Sequence, residues 1–181
     1  MIRFNDLTSD QTTVQFLRQT LLKILSEGNF CEESQSSALH MLGDMAMQNY
    51  AAVNDDIDLA INTFDRLKAR ITHLESEGYL SIRNDTTANN YIETLNRLRD
   101  CYEDKLKDQN KKNLIVAYVL NSLNKEIKTN AEIIYLLFLY LIRLDSGQFN
   151  SSVLLHSIIL KDHLDIKIKK EATRQIDLFN T

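Results

Sequence analysis

The chain contains no proline and only four glycines in 181 residues. Proline breaks helices by removing a donor and clashing with the preceding turn, whereas glycine ends them by taking a left-handed conformation. A chain almost without either folds as long helices with few interruptions. Gly28, Gly78 and Gly147 each follow a run with helical apolar spacing and read as helix ends. The fourth, Gly43, falls inside a run. A glycine there costs about 1 kcal/mol against alanine, so it reads as a place where another helix packs closely.

The apolar periodicity supports an all-α fold of about eight helices, arranged as an up-and-down bundle or an irregular α-solenoid. The first helix runs from about Asp10 to Glu27, opened by a Thr8 to Gln11 capping box, with Val14, Leu17, Leu21 and Ile24 on one stripe. The second spans about Glu33 to Ala52 and carries Ala38, Leu42, Met45 and Tyr50, with Met41 beside them. The third is the best specified: from Asn54 to Glu77, Ile57, Ala60, Phe64, Leu67, Ile71 and Leu74 alternate steps of three and four, a heptad seam. At 1.5 Å per residue it reaches roughly 36 Å. The fourth repeats the spacing at Tyr91, Leu95, Leu98 and Tyr102, so residues 54–105 read as an antiparallel helical hairpin. An uncovered seam of this kind pairs with a second copy, which makes a homodimer an expectation.

Beyond the charged stretch Glu103 to Lys112 the character changes. Leu114 to Leu120, Ile133 to Ile142 and Val153 to Leu160 are saturated with apolar residues and read as helices buried all round. The last helix, about His163 to Phe179, is amphipathic and basic, with Lys161, Lys167, Lys169, Lys170 and Arg174. The organisation expected is one helical domain over 1–181, open to subdivision into 1–108 and 109–181. Residues 1–100 hold 9 Lys/Arg against 15 Asp/Glu, net −6, and residues 101–181 hold 12 against 10, net +2. An acidic first half argues against general phosphate binding.

Two short resemblances bear on function. Leu42-Gly43 followed by Ala60 and Phe64 resembles the tetratricopeptide pattern, though the separation is too long and the proline of that pattern is missing. Arg66 to Arg83, RLKARITHLESEGYLSIR, resembles the recognition helix and first wing strand of winged-helix proteins, which implies DNA contacts from Arg66 and Arg70. The winged-helix pattern places a turn before that helix. Here the heptad seam runs through the same residues without a break, and a long coiled-coil-like helix accounts for them.

Catalytic and cofactor chemistry has little to build on. His40, His73, His156 and His163 are scattered singly, and no glycine-rich phosphate loop or nucleophile elbow is present. Cys31 and Cys101 have no CxxC partner and no nearby histidine, which disfavours zinc and a disulfide framework and fits a reduced, cytoplasmic setting. The longest apolar run is far below the roughly 20 residues that span a bilayer. No membrane contact, metal or cofactor is expected. The acidic group Asp55, Asp56 and Asp58 reads as helix capping.

The expected function is therefore a non-enzymatic protein–protein interaction module, an adaptor, inhibitor or assembly factor that presents a helical groove. The candidate partner contacts are Met41, Met45, Met47 and Tyr50, whose flexible thioethers and aromatic ring suit a groove for apolar side chains. Arg66, Arg70, Lys167, Lys170 and Arg174 are the candidates for an acidic partner. The alternative is nucleic-acid binding through segment 66–83 and the basic last helix.

Overall fold

The computed structural model describes residues 11–48, 57–79, 82, 84–106 and 108–124, together with single positions between 133 and 140 and between 169 and 174. Among these residues the secondary structure is entirely helical. Five helices are complete: α1 (Gln11–Ser26), α2 (Glu32–Met47), α3 (Ile57–Ser76), α4 (Thr86–Lys105) and α5 (Gln109–Asn124). The expected Thr8 capping box, the caps at Asn54, Asp55 and Asp56, Gly147 and the run Val153 to Leu160 lie outside the described residues. Of the three further helices in the count of eight, only single helical positions between 133 and 140 and between 169 and 174 are described. The chain divides into two compact units, 1–111 and 112–181, close to the change of character after position 108.

In the first unit, the heptad seam is the core. Ile57, Ala60, Phe64, Leu67, Ile71 and Leu74 are all buried, and so are Tyr91, Leu95, Leu98 and Tyr102 of α4. This seam is covered within the chain, which removes the uncovered seam on which pairing with a second copy was expected. The third helix ends as its glycine implies. Gly78 has φ +83°. Its N–H donates to the Glu75 carbonyl at 3.1 Å and the Tyr79 N–H donates to the Leu74 carbonyl at 2.9 Å, a Schellman closure. Gly28, by contrast, follows α1 without positive φ, so at that position the helix stops without needing a left-handed residue.

Cross-helix partners fix the directions. From α2 to α4, the Asn90 amide donates to the Ser36 hydroxyl, Gly43 lies against Thr94, and the Cys101 thiol donates to the Ala46 carbonyl, so the two helices run parallel. From α2 to α3, Glu32 meets Arg70 and Gln35 meets Arg66, so these two run antiparallel. Consequently α3 is the return strut between two parallel helices, and it is antiparallel to α4.

Gly43 sits in the α2–α4 contact. A Cβ built there lies 3.5 Å from the Thr94 Cα and Cγ2 and 3.7 Å from the Arg97 Cβ, ordinary contact with no room beyond it. Alanine fits, and anything longer does not. Gly43→Ala is therefore expected to gain up to about 1 kcal/mol of stability from helix propensity, while Gly43→Leu loses about 1–3 kcal/mol by overpacking. Urea unfolding of the two variants checks the opposite signs.

α5 departs from expectation. Ile115, Val116 and Val119 are buried, but Leu114 is 60% exposed and Ala117 is exposed, so this helix is amphipathic by position rather than buried all round. An unbroken apolar run places residues on every side of a helix, and neighbours on one side cover only one stripe. Asp108 caps it, accepting from the Asn110 and Lys111 N–H groups. In the second unit, Ile133, Leu136, Leu137 and Tyr140 are helical and buried at the spacing of one helical face.

Candidate functional site

An apolar surface depression of the first unit lies between α1 and α2. It has a volume of about 350 Å³ and is lined by Leu21, Ile24, Glu33, Ser34, Ser37, Ala38 and Met41. Leu21 and Ile24 share the stripe by which α1 docks, yet Ile24 stays only partly covered. One turn of α2, from Ser34 to Ala38, carries small side chains on this side, so the wall there is low and the groove is open to solvent. Met41 is half-buried at its margin.

Of the three described residues grouped on α2 as one candidate surface, Met41 lines the groove and Met45 and Met47 do not. Met45 is 1% exposed and belongs to the core, while Met47 is 43% exposed near the helix end. At about 100° per residue, Met47 falls on nearly the opposite side from Met45, so the expected methionine face does not exist as a unit. Tyr50 lies outside the described residues. Glu33, Ser34 and Ser37 were missed by apolar spacing. The signal for them was the cluster of small residues from Ser34 to Ala38, which leaves one side of α2 low.

Arg66 and Arg70 turn inward to α2. The Arg66 guanidinium donates to the Asn62 carboxamide at 2.6 Å, to the Gln35 carboxamide and to the Leu25 carbonyl. Arg70 is more deeply engaged. Its Nη2 donates to Asp85 Oδ2 at 2.7 Å, its Nε donates to Asp85 Oδ1 at 3.2 Å, and its Nη1 reaches Glu32 Oε2 at 3.0 Å. Asp85 also caps α4, accepting from the Ala88 N–H at 2.7 Å. One carboxylate thus ties the end of α3 to the start of α4. The Arg70 hydrogen bonds hold the Asp85 carboxyl below the usual aspartate range, with help from the Ala88 N–H against the cost of burial. Burial pushes the Tyr91 phenol, which donates to Glu32, upward.

This arrangement bears on the resemblance to a recognition helix. α3 is one unbroken helix from Ile57 to Ser76, so no turn interrupts it ahead of Arg66, and its two arginines make contacts inside the chain. A cleft of about 530 Å³ beside it is lined by Arg70, His73, Leu74, Glu77, Tyr79, Asn84 and Asp85, so its central cation is already neutralised by its central carboxylate. Lys170 and Arg174 are exposed helical residues of the second unit, and Lys167 lies outside the described residues.

A further polar cluster joins α2 to α4. His40 lies on α2 with Asp44, and Arg97 of α4 reaches both, at 2.8 Å from the imidazole Nε2 and 2.9 Å from the Asp44 carboxylate. Glu93 completes the group at 3.5 Å from His40 Nδ1. It clamps the parallel pair beside Gly43. Cys31 and Cys101 are free thiols, the first exposed at the start of α2 and the second buried. Among the described residues, no group of three or more His, Cys, Asp or Glu could hold a metal ion. No helix among them is long and apolar enough to cross a membrane. Compared with known protein families, with curated proteins and with solved structures, the chain matches none.

Proposed function

We propose that the protein is a non-enzymatic helical interaction module that docks a protein partner in the α1–α2 groove. The first unit is read as an up-and-down bundle, with α1 as an outer helix laid against its α2 edge. The observation that carries the proposal is the groove itself: Ile24 and Met41 stay partly open to water above the buried Leu21 and Ala38, while the same chain buries its heptad seam. Apolar lining left open beside a satisfied core is a docking surface, because covering it releases water without disturbing the fold. The open shape suits side chains presented by another macromolecule. A small ligand is held instead in a cavity that surrounds most of its surface.

The test is affinity capture of the full chain from its native cell after nuclease treatment, in parallel with Met41→Glu. A stoichiometric protein partner that survives nuclease and is lost from the variant supports the reading. A charge at the groove margin is expected to weaken binding by about tenfold or more, since it must be desolvated on docking. Recovery of nucleic acid, equal for both proteins, would favour the alternative through the basic residues of the second unit.

A further inference from the structure

We infer that the α1–α2 groove receives an amphipathic helix of a protein partner, seated by aliphatic side chains one turn apart and by a lysine or arginine that meets Glu33. This rests on the docking reading above and adds the chemistry of the occupant.

The helix follows from the walls. Each wall is itself a helix that lines the groove at i and i+3, with Leu21 and Ala38 buried at its base and Ile24 on α1 and Met41 on α2 partly exposed above them. Ridges at that spacing accept the ridge of a third helix. Ser34, Ser37 and Ala38 keep the α2 wall low, so a helical backbone can approach it closely. A peptide that docks by strand addition needs an open sheet edge, and the described residues contain no strand. A helix brings its backbone bonds already made.

The basic residue follows from which carboxylates are already matched. Around this end of the unit, Glu27 pairs with Lys23 at 3.5 Å and Glu32 with Arg70 at 3.0 Å. Glu33 lines the groove, is exposed, and ion-pairs with none of the described residues. Its own backbone N–H and the Cys31 side chain hold its carboxyl below the usual glutamate range, so it stays charged. An unmatched carboxylate at the end of an apolar groove selects a cationic end on whatever fills it.

The test is selection of a displayed library of 16-residue peptides on the full chain. The library varies apolar spacing and end charge. The survivors are expected to carry aliphatic residues at i, i+3 or i+4 and i+7, with lysine or arginine enriched at one end. Selection on Glu33→Gln is expected to lose the basic enrichment and keep the apolar spacing. Binding of survivors to Ser37→Trp, which fills the groove from an exposed position, is expected to fall about tenfold or more. Survivors that weaken on Ser37→Trp but lack helical spacing, or stay basic on Glu33→Gln, overturn this inference and leave groove docking standing. Survivors indifferent to Ser37→Trp overturn groove docking as well. An unenriched library overturns the helical occupant.

Discussion

Phe64→Ala is expected to cost about 3–5 kcal/mol, the range for deleting a fully buried aromatic ring. Phe64 is 0% exposed, at the middle of the α3 seam, with Leu67 on the same helix and Leu95 and Leu98 on α4 also at 0%. α3, closed at Gly78, and α4, capped by Asp85, hold these neighbours in place, so the lost burial and the cavity add. A domain of this size is stable by roughly 5–15 kcal/mol. The variant is therefore expected to be unfolded in a large fraction at moderate urea, with an unchanged m value. Phe16 is the control. It is 71% exposed on α1, so Phe16→Ala is expected to stay within about 0.5 kcal/mol of the parent. Equal losses for the two phenylalanines would contradict the assignment of the core.

Arg70→Ala is expected to cost about 2 kcal/mol at neutral pH, below the loss for a fully buried pair because both partners keep some contact with water. The side chains of Arg70 and Asp85 are 17% and 15% exposed, and Glu32 loses its cation too. The effect depends on pH with a definite sign. Asp85 has a lowered pKa in the folded protein, so its contribution is present above the ordinary aspartate value of about 4 and is lost as pH falls through the folded value. The stability difference between parent and Arg70→Ala is accordingly expected to shrink on acidification below about pH 4. Urea titrations at pH 7 and pH 3 measure it. A difference that grows toward pH 3 would contradict the pairing.

The helices of the first unit were legible because every level agreed. The α3 seam, its Gly78 closure and the matching stripe on α4 each point to the same element, and the structure buries those residues together. Gly43 was readable for a related reason: an unfavourable residue in a helix interior is retained where packing demands it. What the sequence did not reveal was pairing. Periodicity shows which side of a helix is apolar but not which helix meets it, so the parallel α2–α4 contact, with α3 as the return strut, became visible only from Asn90, Thr94 and Cys101 against α2. The charged contacts were hidden for the same reason. Arg66 and Arg70 looked like a solvent-facing pair, and their partners Gln35, Glu32 and Asp85 come from elsewhere in the chain. The groove was half readable: Leu21, Ile24, Ala38 and Met41 stood on the expected stripes, whereas its low wall depends on Ser34 and Ser37, residues that apolar counting ignores.

The measurement that addresses groove docking most directly is site-specific photo-crosslinking in the native cell, with the photoreactive residue placed at Ser37 in the groove or at Thr72, exposed on α3. The account predicts a discrete, nuclease-resistant protein adduct from position 37 that weakens when Met41→Glu is added, and no such adduct from position 72. An adduct common to both positions, an adduct made of nucleic acid, or no adduct from position 37 would contradict it.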